Sequence, residues 1–234
     1  MDTNQTIGIL YLVSTPIGNY DDITIRALNI LKSVEVVVCE ERKEGQRLLS
    51  QYKLQPPILD MLNEHNETAA SFHILEYLKS GKNVALISDA GTPVFSDPGQ
   101  VLVRIAVEQG IKIGPGPGAS SLLPALTLCG FPIDSFLFAG FLSPKSNRRI
   151  SELRQLRNEK RTTVFMDTPY RLVALLKDIV EVYGNDRRIV VAFNLTMPDE
   201  KVHRGTAIDI FRYFEKRNMK GEFVIVVEGA RGRE

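Results

Sequence analysis

The strongest constraint on this chain is an alternation. Brief, almost wholly apolar runs rich in β-branched residues are each followed by a stretch of helical periodicity. In the first half the runs are Ile9–Val13, Val34–Val38, Val84–Ile87 and Ile111–Ile113, and the helical stretches lie near Ile23–Leu31, Glu44–Tyr52, Glu67–Lys79 and Pro98–Gln109. Strands without a polar face are buried on both sides, as in a mainly parallel sheet covered by helices. The pattern predicts an α/β fold. The second half repeats it with strands at Phe136–Gly140, Thr162–Met166, Ile189–Phe193 and Phe223–Val227, and helices at Arg148–Asn158, Pro169–Tyr183 and Ala207–Arg217. The polar stretch Asn194 to His203 is expected to be an exposed turn or hairpin. Thr168 before Pro169 reads as a helix start, a hydroxyl N-cap with proline at the first helical position, and Gly184 as its stop.

A chain of 234 residues holds one large domain or two of roughly 110–120 residues. The Gly/Pro cluster Ile113–Ala119 suggests two domains, 1–117 and 118–234, with a helix at Ser120–Cys129 bridging them before Gly130-Phe131-Pro132 breaks the chain. A formal charge of +1 argues against a protein that coats nucleic acid by bulk charge, while leaving room for a local basic patch. With no signal-like start and no apolar run near the ~20 residues of a membrane span, a cytoplasmic chain without membrane contact is expected. Cys39 and Cys129 form neither a disulfide framework nor a metal motif, His65, His73 and His203 are scattered, and no metal is expected.

Small and turn-forming residues collect where three strands end. The loops are Ser14-Thr15-Pro16-Ile17-Gly18-Asn19; Ser88-Asp89-Ala90-Gly91-Thr92-Pro93 with Ser96-Asp97-Pro98-Gly99; and Gly114-Pro115-Gly116-Pro117-Gly118-Ala119-Ser120-Ser121. Open α/β sheets bind ligands beyond the carboxyl ends of their strands, where glycine admits close approach and proline pre-orders the loop. Gly114, Gly116 and Ala119 match a dinucleotide fingerprint, with Asp134 downstream. That motif belongs after the first strand, however, and Pro115 and Pro117 remove the amides that would cradle a pyrophosphate. The chain has no P-loop.

The run Leu10-Tyr11-Leu12-Val13-Ser14-Thr15-Pro16-Ile17-Gly18-Asn19, then Asp22-Ile23-Thr24 and Arg26-Ala27-Leu28, closely resembles the start of the ribosomal RNA small-subunit methyltransferase I family. Further matches are Glu64-His65-Asn66-Glu67, the two loop segments Ser88–Pro93 and Ser96–Gly99, Pro117-Gly118, Thr168-Pro169-Tyr170-Arg171-Leu172, Leu195-Thr196, Arg204-Gly205 and Gly221-Glu222-Phe223. That family belongs to the tetrapyrrole-methylase-like superfamily, the class III methyltransferases. The resemblance implies two α/β domains with mainly parallel or mixed sheets, S-adenosylmethionine held in the cleft between them, and a homodimer. By position it implies donor contacts from Pro16, Ala90, Gly91, Thr92, Phe95, Ser120, Ser121, Asp167, Leu195, Thr196, Gly221 and Glu222. Two motifs depart from the family. Its Cys-Glu-Asp-Thr-Arg reads Cys39-Glu40-Glu41-Arg42-Lys43, and its Arg-Glu-Leu-Thr-Lys reads Phe193-Asn194-Leu195-Thr196-Met197. The usual helical C-terminal extension is also expected to be missing. Donor loops kept beside altered substrate residues suggest a divergent paralogue.

Methyl transfer depends on in-line positioning and exclusion of water, so catalytic groups are inconspicuous. Glu40, at a strand end, and His65 are the candidate catalytic residues, each able to accept a proton from a hydroxyl. The alternatives are an exposed ion pair for Glu40 and a surface histidine for His65. Asp89 and Asp97 read as braces of the glycine loop, and Cys39 lacks the histidine partner of a nucleophile. From Lys145 to Arg161 the net charge is +5, which fits either a phosphate-contacting face or a solvated amphipathic helix. The leading expectation is methylation of a ribose 2′-hydroxyl of small-subunit ribosomal RNA. The alternatives are methylation of a tetrapyrrole or other small molecule, and a donor-binding protein without catalysis.

Overall fold

The computed structural model describes residues 7–217 and 219–230. It divides into two compact units, Met1–Ser120 and Ser121–Glu234. Among the described residues no helix is long and apolar enough to cross a membrane.

The first unit is built on a parallel five-stranded sheet in the order β3-β2-β4-β1-β5. Its strands are β1 (Leu10–Val13), β2 (Val36–Cys39), β3 (Ile58–Met61), β4 (Val84–Ile87) and β5 (Ile113–Gly116). The helices are α1 (Ile25–Ser33), α2 (Arg42–Gln51), α3 (Glu67–Lys79) and α4 (Gln100–Glu108). The apolar runs have no polar face because both faces are covered. Val36, Val38, Val84 and Leu86 pack with Ile74, Leu75, Leu78, Leu102 and Ile105 of α3 and α4. Val37, Cys39, Ala85 and Ile87 turn the other way, onto Ala27, Ile30, Leu31, Leu48 and Leu49 of α1 and α2.

The second unit carries a mixed sheet in the order β6-β7-β10-β8-β9, of which only the β6/β7 pair is parallel. Its strands are β6 (Phe136–Phe141), β7 (Thr162–Asp167), β8 (Arg188–Phe193), β9 (Lys201–Thr206) and β10 (Phe223–Val227). Phe165, Val191, Phe193 and Ile225 pack against α6 (Ser146–Leu156), α7 (Leu172–Tyr183) and α8 (Ala207–Arg217). Helix α5 (Leu122–Cys129) lies against β8 and β10.

Several expectations are corrected. No apolar run marks β3: it follows Pro56-Pro57, contains Asp60, and all four of its residues are only half-buried. β5 runs through the Gly/Pro cluster instead of stopping at Ile113. Pro115 is exposed opposite Leu12 on the sheet edge, where a missing amide costs no ladder bond. A side chain on Gly114 would meet the Tyr11 ring at 2.7 Å, and one on Gly116 would meet Val13 at 3.0 Å. The apparent fingerprint is therefore an edge strand shaped to its neighbour. α7 begins at Leu172, not Pro169. Thr168 caps nothing; its amide is taken by Asp167 Oδ1 at 2.6 Å, and its carbonyl accepts from Arg171 N at 3.0 Å, closing a turn ahead of the helix. The polar stretch does form the hairpin expected of it: Asn194 to Glu200 is a turn and β9 is the arm that returns along β8.

Candidate functional site

Because β4, β1 and β5 are neighbours in the first sheet, the loops that leave them start side by side. They are knitted together. Thr15 and Gly91 exchange backbone hydrogen bonds of 2.8 and 3.1 Å, and Ser14 N donates to Gly116 O at 2.8 Å. The hydroxyls of Ser14 and Thr92 lie 3.0 Å apart, and Thr92 Oγ1 donates to Ala119 O at 3.3 Å. Thr24, which caps α1, donates its hydroxyl to Pro117 O at 3.0 Å. Pro16 and Gly91 are buried, whereas Ala90, Thr92 and Phe95 are exposed and Ser120 is half-buried.

The Ser88–Gly99 loop is strained. Gly91 and Gly99 have φ of +89° and +127°, conformations natural to glycine, but Val94 at +70° and Ser96 at +68° are not glycines. Two carboxylates hold the loop. Asp97 Oδ2 accepts from Ser88 Oγ at 2.5 Å, and Ser88 Oγ accepts from Ala90 N at 3.1 Å. Glu67 Oε1 accepts from Gly99 N at 2.8 Å and Val101 N at 3.0 Å. Helix α4 has a glycine N-cap with no side chain to satisfy its first amides, so the first residue of α3 does so from 32 positions away. The one local sign of this role of Glu67 in the sequence is the uncapped Pro98-Gly99 helix start. Glu67→Ala is expected to lower unfolding free energy by about 1 kcal/mol, the cost of a lost cap. Glu67→Gln, which keeps one acceptor oxygen, should recover most of it. Denaturant titration reads both.

Glu40 follows β2 beside this loop and is half-buried. Burial, reinforced by the negative charges of Asp97, Asp89, Glu41 and Glu64, raises its pKa to about 7. Burial also raises Asp97, partly offset by the Ser88 hydrogen bond. Asp89 accepts from Glu41 N at 3.4 Å. His65 stands on a turn, its side chain 86% exposed and 3.5 Å from Glu64. That turn is closed by Asn66 Oδ1, which accepts from Asn63 N at 2.7 Å. Cys39 is buried, with its thiol pushed up to about 11, which leaves it inert as a nucleophile. No group of three His, Cys, Asp or Glu among the described residues is placed to hold a metal ion.

In the second unit Phe223 pairs with Asp167 on one side and Phe193 on the other, so the ends of β7 and β8 meet the start of β10 at one end of the strands. This gathers Asp167, Asn194-Leu195-Thr196 and Gly221-Glu222. Asn194 N donates to Glu222 O at 2.8 Å. A side chain on Gly221 would fall 2.3 Å from Asn194 Oδ1 and 2.5 Å from Phe193, so any larger residue must displace those two side chains. Asn194 and Thr196 adopt φ of +48° and +65°. Asp199 accepts from Asn194 Nδ2 at 2.8 Å and Glu200 accepts from Thr196 N at 2.6 Å, pinning that turn. Burial raises the pKa of Glu222. Asp167 is paired with Arg171 through Oδ1. Its buried Oδ2 and Asn194 Oδ1 have no hydrogen-bond partner among the described residues. Unpaired buried acceptors are costly unless something donates to them. Both can accept a hydrogen bond from the amino or hydroxyl group of a ligand. Ser121 is half-buried at the N-cap of α5.

The basic segment is less uniform than its charge suggests. Arg149 is buried and paired with Asp178, while Arg148, Arg154 and Arg161 face Glu152, Glu181 and Glu159.

Comparison with known proteins shows the family. Residues 9–210 match the family model for tetrapyrrole (corrin/porphyrin) methylases. The chain is 41% identical to the ribosomal RNA small subunit methyltransferase I of Synechocystis sp., covering 96% of this chain and 80% of that protein. The protein of the same name from Thermotoga maritima is also 41% identical, with 95% and 99% covered. Among solved structures, diphthine synthase superposes with a TM-score of 0.77 at 18% identity over 95% of this chain and 90% of that one. Cobalt precorrin-4 methyltransferase superposes with a TM-score of 0.66 at 18% identity over 94% of each chain. These two likenesses concern the fold. The activity is methyl transfer from S-adenosylmethionine. The chain belongs to the tetrapyrrole methylase family and, within it, to the ribosomal RNA small subunit methyltransferase I group.

Proposed function

We propose that this enzyme methylates a ribose 2′-hydroxyl of small-subunit ribosomal RNA. The observation that carries the reading is the 39–41% identity, over at least 95% of the chain, to proteins named for that RNA. Structural neighbours that act on tetrapyrroles share only about a fifth of their residues and speak for the fold alone. The reading also includes a cytoplasmic homodimer, tested by light scattering and fractionation.

In this reading Pro16, Ala90, Gly91, Thr92, Phe95 and Ser120 of the first unit contact the donor. Ser121, Asp167, Leu195, Thr196, Gly221 and Glu222 of the second also contact it. Bound S-adenosylmethionine supplies an electrophilic methyl group and a thioether leaving group. The pinned loops supply orientation: the Thr15–Gly91 bridge and the Glu67 and Asp97 braces remove motions that would otherwise be lost on binding. With the donor bound, the ribose oxygen would displace the thioether from the methyl carbon, and the Glu40 carboxylate would take the hydroxyl proton. His65 is the second candidate for that base.

The test is transfer of labelled methyl from the donor to ribosomal RNA, as free RNA and as small-subunit particles, from cells lacking the enzyme. The modified position is then mapped by mass spectrometry. A 2′-O-methyl nucleotide is expected; no transfer to either form of the RNA rejects the reading. pH gives a further prediction. Below about 7 Glu40 holds a proton and cannot accept another, so kcat/KM should rise through pH 7 and level off above it. Glu40→Gln should lower the plateau by about 10²-fold or more and remove the rise, whereas His65→Gln should leave the rise in place. For stability the sign is opposite. A carboxyl raised from 4.5 to about 7 favours the folded state while protonated, and that contribution is lost as pH climbs through this window.

A further inference from the structure

Tyr170 is the most exposed large side chain among the apolar and aromatic residues described, with 79% of its surface open. An isolated exposed tyrosine means little, but this one is displayed by a rigid turn. Asp167 Oδ1 takes the Thr168 amide at 2.6 Å, Pro169 fixes the next backbone angle, and Arg171 N returns to Thr168 O at 3.0 Å. Arg171 is also tied to the buried Asp167 through its guanidinium. The Lys220 ammonium lies 5.4 Å from the centre of the Tyr170 ring. The two residues flank the candidate donor segments of the second unit, Tyr170 three positions after Asp167 and Lys220 immediately before Gly221. In-line methyl transfer brings the acceptor next to the donor, so exposed groups bordering the donor segments face the acceptor.

An exposed aromatic ring next to a cation is the equipment with which proteins hold unpaired nucleotides, the ring stacking on a base and the cation meeting a phosphate. Tyrosine suits this because few rotatable bonds are frozen when it stacks. Resting on the RNA reading above, we propose that Tyr170 and Lys220 form a contact for single-stranded RNA, with the tyrosine ring stacked on a base near the target nucleotide and Lys220 on the backbone.

The test measures KM for RNA and KM for the donor separately, with Phe72→Ala, an exposed aromatic on α3, as a control for non-specific loss. Tyr170→Ala should raise KM for RNA about 5- to 150-fold, the range for loss of one stacked base, with little change in donor KM. Tyr170→Phe keeps the ring and should restore most of the affinity. Lys220→Gln should weaken RNA binding and reduce its salt dependence by about one counterion. If wild type methylates RNA while Tyr170→Ala keeps its KM for RNA, or loses donor affinity instead, the contact is wrong and the RNA reading stands. If wild type methylates no RNA, both fall. An effect of Phe72→Ala equal to that of Tyr170→Ala also overturns the contact.

Discussion

Gly91→Val is expected to weaken S-adenosylmethionine binding by about 30- to 150-fold. Gly91 sits at φ +89°, where a β-branched residue pays about 1–2 kcal/mol or more in backbone strain. Its new side chain would also press on Ile17 at 3.3 Å and leave the chain little room to relax toward Ala119 O at 3.8 Å. The two backbone hydrogen bonds to Thr15 hold Gly91 from both sides, so the loop cannot shift without breaking the bridge between the first two candidate loops. Together these amount to about 2–3 kcal/mol against the binding-competent loop, which converts to the stated loss of affinity. Gly91→Ala, which has the backbone strain without the branched bulk, should lose about tenfold. Calorimetric titration gives the affinity, and thermal unfolding provides the control. Gly91 lies beyond the strands, so melting should change far less than binding. A Kd for Gly91→Val within threefold of wild type would remove this loop from the donor site.

What was readable in advance follows from where each element lies. β1, β2, β4, β7, β8 and β10 are interior to their sheets, buried on both faces, and each announces itself as an apolar run. The strands that no apolar run spans, β3, β5 and β9, all lie at sheet edges. An edge strand is half solvated, tolerates proline and polar residues, and is defined by its neighbour more than by its own composition. β5 shows this best: its glycines exist because Tyr11 and Val13 occupy the space beside them. β6, also an edge, was legible because Phe136, Leu137, Phe138 and Phe141 keep the apolar signal.

The candidate site was legible in its loops and not in its supports. Glycine, proline and small polar residues at strand ends advertise a ligand surface locally, and the family motifs repeat them. Glu67 and Arg149 act on partners 32 and 29 positions away, and no local pattern encodes such pairing. For the same reason nothing local in the Glu64-His65-Asn66-Glu67 run sets Glu67 above the histidine two positions before it. The histidine is open to water, whereas the glutamate holds the strained loop.

Arg149 illustrates the opposite error, in which a charged residue looks functional and is structural. It belongs to a stretch of net charge +5, yet its guanidinium is 3% exposed as a residue and is fully engaged inside the second unit. Nε donates to Asp178 Oδ2 at 2.6 Å, Nη2 lies 2.6 Å from the same oxygen as an ion pair, and Nη1 donates to Ser143 O at 3.2 Å and Pro144 O at 3.3 Å. The pair joins α6 and its leading loop to α7. Removing one member of a buried pair leaves the other charge without compensation, which costs about 3–5 kcal/mol. Arg149→Ala is therefore expected to lower unfolding free energy by that amount in denaturant titration, and Asp178→Ala by a similar amount. The double variant Arg149→Met, Asp178→Leu should recover most of the loss, because neither charge is then stranded. Measured where the proteins remain folded, the double variant should show the same salt dependence of RNA binding as wild type, since a buried arginine releases no counterions from a phosphate. A loss under 1 kcal/mol for Arg149→Ala, or a salt slope reduced by one in the double variant, would return Arg149 to the RNA-facing surface.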